Sequence, residues 1–391
     1  MNPKNENGCK KIKVVTIVGA RPQFIKAAPV SALIREKYRG KVKEILVHTD
    51  QHYDRNMSDI FFRQMRIPKP KYHLRSGSGS HGAMTGRMMG KIEKVLLKEK
   101  PDWVLVYGDT NSTLAGALSA VKLHIPVAHV EAGVRSFNIR MPEEINRILT
   151  DRISTLLFCP TPSAVENLKN EGITDGVYFS GDVMLDAVRN FRVLAGKIPL
   201  NRWGLEKKKY AFCTVHRQEN TDDPRKLKEI LQALRKLGQK DLVVFAIHPR
   251  TRRAVRKYPA LKRLLQLSNS KTGARDLEKG KQVGGVNGIM VLEPMGYLET
   301  QRVVMGAKTV LTDSGGLQKE AFFHRTPCIT LRNETEWAET VEAGWNQIVG
   351  ADREKIIRAA QKSREAAPNQ NSIYGNGHAA KKIVAKLRSH K

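Results

Sequence analysis

The sequence predicts an α/β protein of two domains, each a mostly parallel sheet covered by helices. Short apolar runs alternate with longer amphipathic segments along the whole chain, which is the pattern of right-handed βαβ crossovers. The alternation starts afresh at Tyr210, beyond a loop with Pro199, and 391 residues are enough for two domains with separate cores. Acidic and basic residues stand just past several apolar runs, where open parallel sheets bind ligands.

In the first half the expected strands are KVVTIVG, EILVHT, WVLVYGD, PVAHVEA and TLLFCPT. Each is a continuous apolar run of strand length, as a strand buried on both faces requires. Between them AAPVSALIREKY, MMGKIEKVLLKEK and NSTLAGALSAVKLH carry the longer period of amphipathic helices, and EEINRILTDRI follows the fourth strand. The second half repeats the logic with KYAFCTVH, LVVFAIHP, IMVLEPM, KTVLTDSG and TPCITLRN. The boundary falls between Ala187 and Asn201, giving domains 1–190 and 191–374, with a C-terminal helix over 375–391 (HAAKKIVAKLRSH) returning to the first domain. One stretch breaks the pattern. Ser268–Gly288 is polar, basic and Gly-rich, and a structureless connection of about twenty residues is far above the usual loop length, so it reads as a surface insertion.

Composition narrows the class. A hydrophobic share of 40% suits a soluble globular chain, and the apolar runs are too short to span a bilayer. MNPKNENGCKK lacks the apolar core of a signal peptide, so a cytoplasmic location is expected. Cys9, Cys159, Cys213 and Cys328 are scattered without metal-ligand or redox spacing, and are expected to be reduced and structural. The formal charge of +30 invites a polyanionic partner, but Lys and Arg are spread along the chain and no nucleic-acid motif accompanies them. Neither a specific nucleic-acid partner nor a membrane is expected. Attraction of anionic small molecules accounts for the excess.

The motifs lie at strand ends. Asp109 follows WVLVYG, Glu131 follows IPVAHV, and Glu143 with Glu144 opens EEINRILTDRI. Carboxylates kept in a shared site repel and lose solvation, so a fold that keeps them there usually moves protons with them. In VVTIVGARPQFIKAAPV the strand turns into a helix near Pro22 with neither GxGxxG nor GxxxxGK[ST], so no dinucleotide fingerprint or P-loop is present. Arg21 and Lys26 there are placed to reach a diphosphate, the one as a bidentate fork and the other as a point charge. LTDSGGLQKEAFF runs from a strand through Ser314, Gly315 and Gly316 into a helix, a turn that lets an anion approach backbone N–H groups, with Glu320 in range of a ribose. His216 with Arg217, and His248 with Arg250, mark two further strand ends suited to phosphate or proton transfer. GSGSHGAMTGRM, around His81, reads as a Gly/Ser loop entering a helix.

VGARPQFIKAAPVS, VYGDTNSTLAGALSAVKLHIPVAHVEAGVRSF, MPEEINR, TVHRQEN and LTDSGGLQKEA, in this order, resemble the motifs of the non-hydrolysing UDP-N-acetylglucosamine 2-epimerases from Lys13 to the C-terminal helix. The resemblance implies two Rossmann-like domains in a glycosyltransferase-B arrangement with the active site in the interdomain cleft, a homodimer, and no metal or other cofactor. It implies interconversion of UDP-N-acetylglucosamine and UDP-N-acetylmannosamine by elimination and re-addition of UDP through a 2-acetamidoglucal. By motif, Asp109, Glu131, Glu143 and His216 become the catalytic set, with the C2 proton assigned to no one carboxylate. Arg21, Lys26, Tyr297 (in EPMGYLE, beside uracil), Ser314, Gly315, Gly316 and Glu320 become the UDP-sugar contacts, and Arg217 and His248 join them from their strand-end positions.

The sequence departs from the family pattern in HTDQHYDRNMS, where Asp50 stands in place of Gly and HYD replaces the HR-type loop that binds an activating second substrate molecule. Activation by substrate is therefore not expected. The same motifs occur in relatives that epimerise UDP-2,3-diacetamido-glucuronic acid, which keeps the sugar open. A glycosyltransferase of this architecture would not need three acidic groups in its first half, and a scaffold protein would not keep the motifs intact.

Overall fold

The computed structural model describes residues 11–51, 62–77, 79–267, 280–362 and 373–390. The chain divides into two compact units, Met1–Ala187 with Ser372–Lys391, and Val188–Asn371. The first unit holds β1 (Ile12–Val18), β2 (Val42–His48), β3 (Tyr72–His73), β4 (Trp103–Tyr107), β5 (Val127–Val130), β6 (Leu156–Cys159) and β7 (Val177–Phe179). They form one parallel sheet in the order β3-β2-β1-β4-β5-β6-β7. Read outward from β1, this is the doubly wound order, with its switch between β1 and β4.

The second unit repeats it with β8 (Tyr210–Thr214), β9 (Leu242–Ala246), β10 (Gln282–Val286), β11 (Ile289–Leu292), β12 (Thr309–Thr312), β13 (Cys328–Thr330) and β14 (Asn346–Ile348). Their order is β10-β11-β9-β8-β12-β13-β14, and only β10 is antiparallel. Helices cover both faces, which is why the central strands read as unbroken apolar runs: every residue of β4 is buried. In the first unit Val15, Ile17, Val104 and Val106 pack with Met88, Ile92 and Leu96 of the His81–Glu99 helix. In the second, Val243, Phe245 and Val291 pack with Leu227, Ile230 and Leu234 of the Pro224–Gly238 helix, while Phe212, Val244 and Val310 face Val303 and Val304.

All ten expected strands form. The four that the apolar runs did not announce, β3, β7, β10 and β14, are the four sheet edges. The expectation of a structureless insertion over Ser268–Gly288 needs correcting. Residues 268–279 lie outside the described set, but Gln282–Val286 is β10, paired with β11 through a tight turn at Asn287 and Gly288. The C-terminal helix, Ala379–Ser389, packs on the first unit, where the Asp186 carboxylate accepts the N–H groups of Ala379 (3.2 Å) and Ala380 (2.9 Å). Cys159, Cys213 and Cys328 are free and buried, and Cys9 lies outside the described residues. Among the described residues no helix is long and apolar enough to cross a membrane.

Candidate active site

The C-terminal ends of β1, β4 and β5 bring the acidic and basic motifs of the first unit together. β1 ends at Val18, and Gly19 and Ala20 lead straight into the helix Arg21–Lys37. Gln23 latches this turn: its Oε1 accepts the N–H groups of Gly19 (2.8 Å) and Ala20 (3.1 Å), and its Nε2 donates to the Tyr107 carbonyl at the end of β4 (3.0 Å). A Cβ at Gly19 would stand 2.0 Å from Thr49 Oγ1 and 2.2 Å from Ser112 Oγ, so only glycine lets these three turns meet.

Lys26 lies one turn further along the helix, buried, with Nζ 2.6 Å from Glu131 Oε1. Glu131 follows β5 in a left-handed conformation (φ 74°) and is only 7% exposed. Such a backbone is costly for a non-glycine residue and concentrates at functional sites. Gly108, at the end of β4 with φ 60°, makes room for the pair, since a Cβ there would lie 2.7 Å from Lys26 Nζ. Asp109 comes next, and its Oδ2 accepts a bond from Arg147 Nη2 at 2.6 Å. Arg147 also bonds Glu144 through Nη1. Glu144 in turn accepts the N–H groups of Ser136 and Phe137, fixing the loop that follows Glu131. Asn146 donates to the Asp109 carbonyl (2.8 Å) and to Asn111 Oδ1 (3.1 Å). Glu143 is half-buried in the first turn of the Pro142–Ile153 helix, and Arg21 opens the Arg21–Lys37 helix.

Beneath these groups runs a buried ionic chain. His129 Nδ1 is 2.7 Å from Asp151 Oδ1 and its Nε2 is 2.8 Å from the Gly108 carbonyl. Asp151 Oδ2 accepts from Arg135 (2.7 Å) and from the Gly133 N–H (3.0 Å), and Arg135 continues to Glu171 at 2.6 and 2.8 Å. Burial alone would push the Asp151 carboxyl up. The charges and hydrogen bonds of His129 and Arg135 outweigh it and hold the group below the usual carboxylate range.

In the second unit Asp313, fully buried at the end of β12, organises the end of β8. It accepts the N–H groups of His216 (3.0 Å) and Arg217 (2.9 Å) and the amide of Asn220 (3.0 Å), and its Oδ1 is 3.3 Å from His216 Nδ1. The His216 ring is 5.2 Å from that of His248, which caps the Pro249–Lys257 helix after β9. Ser314 is the N-cap residue of the Gly315–Phe323 helix, which contains Gly316 and a buried Glu320. Tyr297 opens the Tyr297–Gly306 helix. Its ring is wholly buried and edge-on to Phe191 at 5.7 Å, so it packs inside the unit.

Residues 35–388 match the sequence model of the UDP-N-acetylglucosamine 2-epimerase family. The chain belongs to this family. A UDP-N-acetylglucosamine 2-epimerase homolog of Methanococcus maripaludis is 50% identical over 97% of this chain and 100% of its own. A UDP-2,3-diacetamido-2,3-dideoxy-D-glucuronate 2-epimerase of Pseudomonas aeruginosa is 47% identical over 96% and 99%. The crystal structure of the Methanocaldococcus jannaschii UDP-GlcNAc 2-epimerase in complex with UDP-GlcNAc and UDP is similar at a TM-score of 0.83, with 40% identity over 97% of this chain and 99% of that one. Two Rossmann-like domains are thus the fold of this epimerase-family chain.

The acidic and basic residues singled out in the sequence fall into two groups, one in each unit. In the first unit Lys26, Asp109 and Glu131 meet at adjacent strand ends, but Lys26 stands against Glu131 and not as a second cation beside Arg21. Glu143 and Glu144, neighbours in sequence, differ in station: Glu144 is 2% exposed and tied to Arg147 and the backbone. Sequence reasoning missed Gln23, His129, Arg147, Asp151 and Asp313 as the groups that fix the others. His81 starts the His81–Glu99 helix with Nδ1 3.1 Å from Asn111 Nδ2. Of the departure HTDQHYDRNMS, residues 52–58 lie outside the described set. Asp50 holds a left-handed turn (φ 58°), with Oδ1 2.9 Å from His48 Nδ1 and 3.5 Å from His73 Nδ1. These are the only three residues, among those described, whose ligand atoms gather as a metal would need. Asp50 also brings its N–H to 2.8 Å from His48 Nδ1, so the three side chains form a polar clasp on the loop after β2.

Proposed function

We propose that this chain is a UDP-sugar 2-epimerase that interconverts UDP-N-acetylglucosamine and UDP-N-acetylmannosamine. The observation that carries the reading is the pair of carboxylates at adjacent strand ends, each locked by its own buried cation: Asp109 by Arg147 and Glu131 by Lys26. Carboxylates fixed in place are equipped to take and return a proton. The C2 hydrogen of the sugar is poorly acidic, so C1–O cleavage runs ahead through an oxocarbenium-like state that flanking carboxylates stabilise. One carboxylate takes the C2 proton as the C1–O electron pair leaves with UDP, giving the 2-acetamidoglucal. A proton added to the other face of C2, with return of UDP to C1, gives the epimer. Asp109, Glu131 and Glu143 carry these transfers.

In the second unit the diphosphate falls to Ser314, Gly315 and Gly316, where a turn opens a helix, and to His216, Arg217 and His248. Glu320 serves the ribose, and the helix start at Tyr297 borders the uracil through its backbone, since the ring is packed inward. The motif resemblance supports a cytoplasmic homodimer. The exposed apolar side chains of Phe137 (79%), Ile139 (69%), Ile145 and Leu149 offer such a dimer a surface to bury.

One second reading has a specific observation behind it: the 47% identity to the Pseudomonas aeruginosa enzyme makes UDP-2,3-diacetamido-glucuronate an alternative substrate. Proton NMR of the purified protein with each UDP-sugar separately tests both readings. A new anomeric signal for the manno epimer from UDP-N-acetylglucosamine supports the first. Turnover of the diacetamido sugar alone replaces it with the second, and turnover of neither removes the epimerase reading.

A further inference from the structure

The mechanism above uses no residue of the buried chain beneath it, yet that chain contains an unusual group. His129 is 0% exposed and faces two oxygens. The Gly108 carbonyl, 2.8 Å from Nε2, can only accept, so Nε2 carries a hydrogen. Asp151 Oδ1 is 2.7 Å from Nδ1, and Asp151 also takes the Arg135 guanidinium and the Gly133 N–H, which is the setting of an ionised carboxylate. Nδ1 therefore carries a hydrogen too. A histidine between two acceptors is an imidazolium.

Its place gives the charge a use. His129 is two residues before Glu131 on β5, and the carbonyl it holds belongs to Gly108, one residue before Asp109. We infer that His129 is a positioning residue held as a buried imidazolium, which fixes the Gly108–Asp109 turn through its hydrogen bond and favours the ionised forms of Asp109 and Glu131 through its charge. The inference rests on the proposed epimerase reaction for its kinetic consequence, but not for its protonation state.

Charged groups of the described residues face this region from several elements. From the Pro142–Ile153 helix come Asp151, with Glu144 and Arg147 on the same element, and from the segment after β5 come Glu131 and Arg135. Arg135 is balanced by Glu171, and Lys26 reaches Glu131 from the Arg21–Lys37 helix. β6 contributes the buried Cys159 thiol, which burial, with Asp151 close by, pushes far above its usual value, so it stays neutral. Asp151, Glu171, Glu131, Asp109 and Glu144 thus face Arg135, Lys26, Arg147 and His129. Asp151 itself is fully buried, and a neutral His129 would leave its carboxylate with one buried cation fewer, which the low dielectric of the interior disfavours.

Two measurements test the inference. The first is nitrogen-15 NMR of the full-length wild-type protein with labelled histidine, with His129→Gln supplying the assignment. Both ring nitrogens of His129 should carry protons from pH 6 to pH 8. A bare ring nitrogen at pH 8 overturns the inference whether or not the protein is an epimerase, and it needs no active variant. The second is the pH profile of kcat in His129→Gln, whose amide can still donate to Gly108 but carries no charge. Removing a positive charge beside carboxylates raises their pKa, so the acidic limb should move up by about one pH unit, with kcat lower and KM little changed. A lower kcat on an unshifted profile would reduce His129 to a packing role and overturn the electrostatic part. Wild-type protein that epimerises no UDP-sugar would instead remove the proposed function and leave the NMR result to stand.

Discussion

Replacing Lys26 by Met tests whether the Lys26–Glu131 pair is built as the structure shows. The two side chains are 8% and 7% exposed with N and O 2.6 Å apart. At an effective dielectric constant of about 20 their attraction is roughly 6 kcal/mol, most of it offset by the dehydration of both groups. Removing the lysine leaves the carboxylate with its dehydration and without that cation, a loss of about 3–5 kcal/mol. Protonation offers an escape. Taking up a proton costs a carboxyl of ordinary acidity about 3.7 kcal/mol at pH 7 and about 1 kcal/mol at pH 5, so the loss is capped near the first figure at neutral pH. The folded variant then holds a proton that the unfolded chain releases, so its stability falls as pH rises, by up to about 1.4 kcal/mol per pH unit. Urea titrations at pH 5, 6 and 7, with hydrogen exchange to locate the effect in the first unit, read both numbers. The double variant Lys26→Met/Glu131→Gln should lose the pH slope. A cost below about 1 kcal/mol that does not change with pH would refute the buried pair.

Isosteric amides at Asp109, Glu131 and Glu143 should each lower kcat by about a hundredfold or more while circular dichroism stays unchanged; near wild-type rates in all three would show the site to be misplaced. Arg147 spans two carboxylates, so Arg147→Lys, which cannot fork, should lower kcat nearly as much as Arg147→Met, and full rescue by lysine would count against the bridge. Burial pushes the Asp50 carboxyl up, but hydrogen bonds from His48 and the Arg75 N–H, with the charges of His48 and His73, outweigh it and bring it down to about 2. A depressed carboxylate stabilises the fold above its unfolded value of about 3.9 and loses that contribution as pH falls through 2. Acid unfolding followed from pH 5 to pH 2 should therefore be shallower in Asp50→Asn, and an unchanged curve would contradict the clasp.

The central strands of both sheets were legible because burial on both faces leaves an unbroken apolar run. The edges β3, β7, β10 and β14 were not, because a short strand with one open side needs no such run. Asp109 and Glu131 stood out because a carboxylate directly after an apolar run has no packing reason to be there, and Glu143 because it opens an amphipathic segment. Lys26 was read beside Arg21 because it follows one turn later. Five residues turn a helix about 140° past its start, however, so the two side chains leave on different faces, and Lys26 meets Glu131. Nothing in the local sequence singled out Arg147 or His129. Their partners stand at separations of 38 (Asp109) and 22 (Asp151) residues, distances over which no local pattern records a contact.

Solvent hydrogen at C2 tests the elimination and re-addition account most directly. With the substrate turned over in deuterium oxide, the account predicts deuterium at C2 of the product, since a carboxylate that takes the proton exchanges it with solvent over repeated turnovers, and added NAD should change nothing. Complete retention of the C2 hydrogen over many turnovers, together with a requirement for NAD, would mean transient oxidation of the sugar and would contradict the account.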